Sequence, residues 1–404
     1  TEIYTLSLHD ALPIWSAMEK LEPSDIRVVG KLVSDNPGTI SFAGGIPDPD
    51  FFPKEEMQAI AKEILENHSD EALQYGPTRG RLPLRTKIAE RMKLEGVDCT
   101  ADEIIITTGS QQGITLGAML CVNPGDVILT EKPSYLGALS AFAPHEIQYT
   151  GVGGDEDGMN MDELEAKLKS DSKIKMIYVI PNFQNPSGRT WSLERRKKLM
   201  ELANKYDVAV LEDNAYGELI YEGERLLSLK SMDTEGRVIY LGSFSKILSP
   251  GLRVAWICAT SEICAKLELI KYGLDLQSAE MAQMQTEMFI DKYGLDEQIA
   301  KIAKVYGERR DAMLEIIKNE FPAEAKYYYP RGGMFVWVEL PAHINTRKLL
   351  EQAVKQKVAF VPGGSFYPDN DCESAMRLNF SMMPLDKIKE GTHILAELLK
   401  EAVK

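Results

Sequence analysis

The sequence predicts an α/β fold in which a mostly parallel central sheet carries helices on both faces, followed by a smaller α+β domain. From about residue 75, short apolar runs rich in β-branched residues alternate with helical stretches, at residues 104–106, 127–129, 176–180, 208–211, 238–241 and 254–258. Continuous apolar strands separated by helices are typical of a parallel sheet that is buried on both sides. After about residue 290 this alternation stops, which predicts a second domain.

The smaller domain is predicted to begin with one long helix, because apolar residues recur at helical spacing between residues 299 and 317. Strands are expected at residues 335–338 and 358–361, and a final helix from about Leu385. Residues before about 60 are expected to join this domain.

The chain is accordingly divided into four parts. Residues 1–15 resemble translated sequencing-adapter read-through more than a domain start, so we expect an extension foreign to the fold. Residues 16–60 form an N-terminal arm and part of the small domain, residues 61–295 a large domain, and residues 296–404 the small C-terminal domain.

Composition excludes several classes of protein. Among the 404 residues, 46 Lys and Arg stand against 61 Asp and Glu, so the net charge of −15 opposes binding to nucleic acid or anionic membranes. No apolar run approaches the roughly 18 residues of a membrane span. The five cysteines form no CxxC pair, which argues against a disulfide framework and a metal site. Nothing secretory stands at the N-terminus, so we expect a cytoplasmic protein.

Common nucleotide and hydrolase fingerprints are missing from the sequence. There is no GxGxxG after a strand, no GxxxxGK[ST] and no GxSxG elbow. These absences remove the main support for a dehydrogenase, an ATPase or a simple α/β-hydrolase.

Chemistry-bearing residues instead follow the ends of the predicted strands, where ligands bind in open α/β sheets. Lys246 comes just after the run at 238–241; it is either a desolvated nucleophile or an ordinary exposed loop lysine. Asp213 follows the run at 208–211, where a buried carboxylate would need a positive partner such as a pyridinium nitrogen. Alternatively, Asp213 is the N-cap of a helix that begins at Ala215.

Two further strand ends carry loop sequences. Residues 108–113, TGSQQG, open a helix whose free N–H groups and hydroxyls could hold a phosphate, although ordinary capping by Ser110 is the alternative. Residues 181–188, PNFQNPSG, could be a simple turn.

Taken together, these motifs resemble the class I/II aminotransferases of fold type I, which depend on pyridoxal 5'-phosphate (PLP). The resemblance runs from about Arg27 to Lys404, with GSQQG, QNPSG, LEDNAY and SFSKILSPGLR in the expected order. The segments SFAGGIPDP, LQYGPTRG and RGGMFVW are most similar to the subgroup of 2-aminoadipate, kynurenine and aromatic aminotransferases. That subgroup includes the catalytic domain of MocR-type regulators, but the stretch before Arg27 is too short for their DNA-binding module.

The resemblance implies roles around the cofactor ring. Lys246 would bond to PLP and then carry the proton between the substrate Cα and the cofactor. Asp213 would pair with the pyridine nitrogen and keep it protonated. Asn185 and Tyr216 would hydrogen-bond the 3′-oxygen of the ring, and Tyr135 would stack on the ring face.

The resemblance also implies a phosphate site and a homodimer. The phosphate would be bound by Arg253, which supplies charge, and by the neutral donors Ser110, Gln111, Ser243 and Ser245. Tyr75 matches a tyrosine that reaches the phosphate across a subunit boundary, so the active sites of a homodimer would be shared.

Substrate would be held by residues from distant parts of the chain. Arg377 matches the arginine that grips the substrate α-carboxylate with two hydrogen bonds, and a surface salt bridge is its alternative. Gly45 would leave room for that carboxylate, and Asn185 lies in the same region. Arg27 matches a mobile arginine that can meet a distal carboxylate, or is a helix surface arginine.

The implied activity is amino-group transfer between an L-amino acid and a 2-oxo acid. Glutamate with 2-oxoglutarate is the expected shared pair, and a 2-aminoadipate, aromatic or branched-chain pair is the second. One alternative is a β-lyase or decarboxylase on the same scaffold, because a stabilised carbanion can partition several ways. The other is a non-catalytic PLP-binding regulator.

Overall fold

The computed structural model describes residues 25–369 and 371–403, so the expected foreign extension at residues 1–15 lies outside the described residues. The strands are β1 (Ile40–Ser41), β2 (Ile104–Thr108), β3 (Val127–Glu131), β4 (Gln148–Val152), β5 (Gly154–Asp155), β6 (Gly158–Met159), β7 (Ile174–Val179), β8 (Ala209–Asn214), β9 (Val238–Ser243), β10 (Val254–Cys258), β11 (Lys326–Tyr327), β12 (Phe335–Glu339), β13 (Val358–Ala359), β14 (Val361–Pro362) and β15 (Ala375–Asn379).

The helices begin and end as follows: α1 (Asp25–Ser34), α2 (Lys54–Asn67), α3 (Ser69–Ala72), α4 (Leu82–Met92), α5 (Ser110–Cys121), α6 (Leu136–Phe142), α7 (Met161–Ser170), α8 (Leu193–Tyr206), α9 (Ser261–Leu274), α10 (Glu280–Tyr293), α11 (Leu295–Glu320), α12 (Thr346–Lys355) and α13 (Leu385–Val403). Several start where a side chain accepts a hydrogen bond from the first free N–H groups, at Asn160, Ser192, Thr260 and Asn345. Each such cap stabilises its helix by about 1 kcal/mol. None of the described helices is both long and apolar enough to cross a bilayer.

The central sheet has the strand order β2-β10-β9-β8-β7-β3-β4, and it is mostly parallel as predicted. All six predicted apolar runs are strands of this sheet, and β4 at its edge was not predicted. β10 is antiparallel to both of its neighbours. A parallel return would need a crossover of about a dozen residues or more, and residues 244–253 contain only a short 3-10 turn. The sheet is therefore mixed at this one strand.

Both faces of the sheet are covered, because successive strand residues enter different hydrophobic clusters. Val127 and Leu129 pack into a cluster with residues of α7 and α8. Ile128, between them, packs into the larger cluster that includes residues of α5 and α9. This alternation is the period-two geometry of a strand, and it confirms the expected helices on both faces.

The C-terminal part of the chain forms a four-stranded sheet of order β11-β12-β15-β14, with the predicted long helix α11 packed against α13. The expected strand at 358–361 is divided. Val358 and Ala359 pair in parallel with β1, whereas Val361 and Pro362 pair with β15. The pairing of β1 joins Ile40 and Ser41 to this part of the fold.

Candidate active site

A cavity of about 480 Å³ lies at the carboxyl edge of the central sheet, where the polar strand ends meet. Of the fourteen site residues predicted from the sequence, twelve line it: Gly45, Ser110, Gln111, Tyr135, Asn185, Asp213, Tyr216, Ser243, Ser245, Lys246, Arg253 and Arg377. They come from both parts of the fold, so folding alone brings together residues that are far apart in the chain. The remaining two, Tyr75 and Arg27, do not line the cavity.

Asp213 is a buried carboxylate at the end of β8. Its Oδ2 accepts a hydrogen bond from the hydroxyl of Tyr178 at 2.8 Å, while its Oδ1 has no partner among the described residues. Burial raises the pKa of Asp213 to about 6, against the opposing effects of Tyr178 and Lys246. The alternative role as a helix N-cap is wrong, because turns follow Asp213.

Lys246 is partly buried and lines the cavity, so the interpretation as an exposed loop lysine is wrong. Its Nζ donates to the backbone oxygen of Gly45 at 2.8 Å. Burial lowers the pKa of Lys246 to about 8; Arg377 and Arg253 lower it further, and Asp213 opposes them. A neutral amine is therefore accessible near neutral pH, as a nucleophile requires.

Arg377, on β15, is completely buried, so the alternative of a surface salt bridge is wrong. Its Nη1 donates to Asn185 Oδ1 at 2.9 Å and its Nη2 to the backbone oxygen of Ala43 at 2.8 Å. Its Nε has no partner among the described residues. The guanidinium carbon lies 4.3 Å from the ring centroid of Phe335. Burial lowers the pKa of Arg377 to about 10, which leaves it charged at neutral pH.

Asn185 links Arg377 to the aromatic wall of the cavity. Its Nδ2 donates to the hydroxyl of Tyr216 at 3.0 Å, while its Oδ1 receives the bond from Arg377. Burial raises the pKa of Tyr216, which keeps the phenol protonated and able to donate. The segment around Asn185 is thus a positioned part of the cavity wall rather than a simple turn.

The cavity ends in a group of donors at the start of α5. Gly109 has a φ of 79°, and a Cβ at this residue would collide with the guanidinium of Arg253. Ser110 is the first helical residue, and its Oγ makes no capping bond and has no partner among the described residues. Ordinary capping by Ser110 is therefore wrong. A helix N-terminus, a free hydroxyl and an arginine together suit a phosphate group.

Three residues that line one cavity thus each carry a buried polar atom without a partner in the described part of the chain: Ser110 Oγ, Asp213 Oδ1 and Arg377 Nε. Buried polar atoms without partners are uncommon in native proteins, and each one here matches a different part of the implied ligands. The hydroxyl suits a phosphate, the carboxylate a protonated pyridine nitrogen and the guanidinium a carboxylate. The residues present therefore fit PLP together with an amino acid.

Tyr75 and Arg27 lie outside this cavity. The side chain of Tyr75 is 77% exposed, and Arg27 is exposed on α1. Ile26, the neighbour of Arg27, lines the cavity instead. Within this single chain, neither predicted contact is made.

Two features of the site were missed by the sequence reasoning. Tyr178, which hydrogen-bonds Asp213, was predicted only as part of an apolar strand. The signal that could have identified it was a hydroxyl on β7, the strand adjacent to β8. The apolar lining by Ile26, Ile46, Ile114 and Ile180 carries no local sequence signal.

Comparisons with known proteins agree with this geometry. The family model described as "Aminotransferase class I and II" matches residues 45–395. The chain is similar to aromatic-amino-acid aminotransferase 1 of Thermococcus litoralis, at 45% identity over 95% of this chain and 93% of that protein. It is 40% identical to 2-aminoadipate transaminase of Thermus thermophilus, over 94% of this chain and 95% of that protein.

A similar solved structure is kynurenine aminotransferase from Pyrococcus horikoshii in complex with PMP. It superimposes with a TM-score of 0.92 at 44% identity, and the match covers 97% of this chain and 98% of that one.

Proposed function

Because the chain belongs to the class I and II aminotransferases, we propose that it exchanges amino groups between glutamate with 2-oxoglutarate and an aromatic or 2-aminoadipate pair. The protein is a PLP-dependent transaminase of fold type I. The observation that carries the proposal is the set of three unpartnered polar atoms, from Ser110, Asp213 and Arg377, around one cavity.

Four residues at the cavity are proposed to hold and activate the cofactor. When bound, PLP supplies an electron sink that stabilises negative charge at the substrate Cα. Arg253 and Ser110 bind its phosphate, and Asp213 holds the ring nitrogen, itself oriented by Tyr178. Lys246 would hold the cofactor through its Nζ, and the free amine would move the proton at the substrate Cα.

Remaining cavity residues are proposed to orient the ring and the substrate. Tyr135 stacks on the cofactor ring, while Asn185 and Tyr216 donate toward its 3′-oxygen. Gln111, Ser243 and Ser245 add neutral donors for the phosphate at the same end of the cavity.

Arg377 is proposed to bind the α-carboxylate of the substrate, beside Gly45. Arg377 lines the cavity, and its charged guanidinium has an Nε without a partner among the described residues, so a pair with a desolvated carboxylate is strongly favoured. A Cβ on Gly45 would lie 3.7 Å from Nη2 of Arg377, in the space that the carboxylate would use.

The cavity favours an aromatic or other apolar side chain as the second substrate. Ile26 and Ile46 contribute apolar surface, and Lys246, Arg253 and Arg377 are the cations among its described lining residues. Lys246 already has a role at the substrate Cα, and Arg377 has one at the α-carboxylate. Glutamate, 2-oxoglutarate and a 2-aminoadipate substrate each carry a distal carboxylate that would need Arg27 to turn inward, whereas branched-chain substrates need no such movement.

The alternatives of a β-lyase, a decarboxylase or a non-catalytic regulator are not favoured. The relatives at 40–45% identity are aminotransferases by name. A regulator that only holds PLP would need neither proton transfer by Lys246 nor an arginine placed to bind a substrate carboxylate, as Arg377 is proposed to do.

We further propose a homodimer with shared active sites. Leu73 and Tyr75 are 74% and 77% exposed, and the N–H of Gly76 bonds Gln277, next to the exposed Leu274. We propose that a second copy covers these exposed apolar side chains, which the Gly76–Gln277 bond links along the chain. Tyr75 of each copy would then reach the phosphate site of the other. A cytoplasmic location is consistent with five free cysteines.

The test is the absorbance spectrum of the holoenzyme before and after adding glutamate, 2-aminoadipate, phenylalanine, leucine or alanine. We expect glutamate and phenylalanine to convert the cofactor to its amino form, and 2-oxoglutarate to restore it. Failure of every donor, or release of pyruvate, ammonia or carbon dioxide without an acceptor, would contradict amino-group transfer.

A further inference from the structure

A second cavity of about 400 Å³ lies behind the segment that carries Asn185, and it shares no lining residue with the cofactor cavity. It forms where residues 328–331 meet the segment 189–193 and the turn at 156–157. Its volume is within the range of about 300–1,000 Å³ that is usual for small-molecule sites.

The central feature of this cavity is an arginine without polar partners. Arg189 is 9% exposed, and its Nε is fully buried and unpartnered. Among the described residues its guanidinium makes no ion pair and no hydrogen bond, and it stacks at 3.9 Å on the ring of Tyr328, which also lines the cavity. The charge of Arg189 opposes the rise in the pKa of the Glu131 carboxyl that burial causes, but the two side chains form no direct ion pair. The Glu131 carboxylate accepts instead from the Ile180 N–H at 2.8 Å and the Trp191 indole at 2.9 Å.

A buried guanidinium is normally surrounded by acceptors, because it carries five donors and a charge. Thr190 adds a second buried polar atom, Oγ1, that has no partner within the described part of the chain. Both residues line the same cavity, so its wall is formed partly by residues whose polar atoms the fold leaves unpaired.

Positively and negatively charged side chains line the opening of the second cavity. Arg331 is exposed, and its side chain makes no hydrogen bond or ion pair in residues 25–369 or 371–403, although it adds to the lowering of the Glu222 pKa that Tyr329 and Arg310 cause. Glu156 and Asp157, on the turn between β5 and β6, line the same opening, and their carboxylates likewise lack partners among these residues. Two free guanidiniums and two free carboxylates therefore face one space without pairing.

We infer that this second cavity binds a free α-amino acid as a zwitterion. Arg189, Arg331 and Thr190 would bind the carboxylate. Glu156 and Asp157 would bind the ammonium group, and the rings of Tyr328 and Tyr329 would contact the side chain. A simple anion would gain the arginines but would face two unneutralised carboxylates.

The experiment is equilibrium dialysis of the holoenzyme with ¹⁴C-phenylalanine. The radiolabel is counted whether the bound ligand is phenylalanine or the 2-oxo acid formed from it. Four proteins are compared: the parent, Arg377→Gln, Arg331→Gln and the double variant. Arg331→Gln should fold, because among the described residues Arg331 makes hydrogen bonds only through its backbone oxygen, which accepts from the N–H groups of Tyr221 and Glu222. Lys301→Gln, which removes an exposed charge elsewhere, is the matched control.

The parent and the control should bind two labels per chain and each single variant about one, with affinity for the lost site reduced about tenfold or more. The double variant should bind none at the same concentration. In Arg377→Gln, 3-phenylpropionate and phenethylamine, which each lack one charge, should bind more weakly than phenylalanine.

The inference is overturned if Arg377→Gln binds no label, if Arg331→Gln retains both sites, or if phenylpropionate binds Arg377→Gln as tightly as phenylalanine. These outcomes are separate from the proposed function. Loss of the Arg331-dependent site leaves turnover intact, whereas failure of the cofactor test leaves the Arg331-dependent label in place in both the parent and Arg377→Gln.

Discussion

Two completely buried arginines differ in role: one stabilises the fold, and the other is available to bind a ligand. Arg196, on α8, uses all three guanidinium nitrogens, because they donate to Trp191, Leu227, Pro181 and Asn182 at 2.6–3.2 Å. Arg377, at the cofactor cavity, has two bonds and an unpartnered Nε. Both are 0% exposed, so burial alone does not distinguish them. What differs is whether the fold or a ligand completes the hydrogen bonding.

Lys271 and Lys246 differ in the same way, in how many acceptors the fold provides for the amine. The amine of Lys271 donates to Gln112, Asp275 and Ser278 at 2.8–3.1 Å. The amine of Lys246 has one backbone acceptor, on Gly45. We infer that a buried charge with few partners in this protein indicates a binding site, whereas one with several partners maintains the fold.

The largest effect is expected for Lys246→Ala. Without the amine, no group at this position can bond to the cofactor or move the Cα proton, so turnover should fall by about 10⁴-fold or more. The measurement is the steady-state rate with glutamate and an aromatic 2-oxo acid, with Lys301→Gln as the control. A variant that retains a tenth of the parent rate would contradict the proposed role of Lys246.

Arg377→Gln should reduce kcat/KM by about 100-fold, mostly through KM, because the substrate carboxylate loses a charged two-bond partner. Its melting temperature should change less than that of Arg196→Gln, in which four acceptors lose their donor. Arg196→Gln should instead lower the free energy of unfolding by about 2 kcal/mol and leave KM near the parent value. If both variants change KM alike, the contrast between the two arginines is wrong.

Lys271→Met should destabilise the protein by about 2 kcal/mol, about 30-fold in the unfolding equilibrium, because Asp275 loses its cation. The double variant Lys271→Met/Asp275→Asn should recover part of this loss, since the uncompensated carboxylate is then removed. Urea denaturation of the holoenzyme measures both. Equal stability of the two variants would show that the pair does not act as a unit.

The smallest effect concerns pH. Because the pKa of Lys246 is lowered to about 8, its neutral fraction in the apoenzyme rises as pH rises through that value. The rate of PLP incorporation should therefore increase about tenfold between pH 7 and pH 9 and level off above it. Stopped-flow absorbance measures this rate. A rise centred near pH 10.5, the ordinary value for lysine, would mean that the cavity does not desolvate this amine.

Much of the fold could be predicted because its signals are local. Apolar runs of strand length, separated by helices, indicated every strand of the central sheet except β4 at its edge. The direction of β10 was not predicted, since it depends on whether residues 244–253 can cross the sheet. The division of the strand expected at 358–361 depends on pairing with β1, which lies more than 300 residues earlier.

By itself, the sequence determined the family, the strand-end positions of Lys246 and Asp213, and the candidate phosphate loop, because each is carried by a contiguous motif. Only the tertiary structure decided which polar atoms remain without partners. Asn185 and Arg377 meet across 192 residues of chain, and Lys246 and Gly45 across 201. The second cavity around Arg189 likewise arises where distant segments pack. Hydrogen-bond partnership and desolvation are properties of that packing, so no local pattern encodes them.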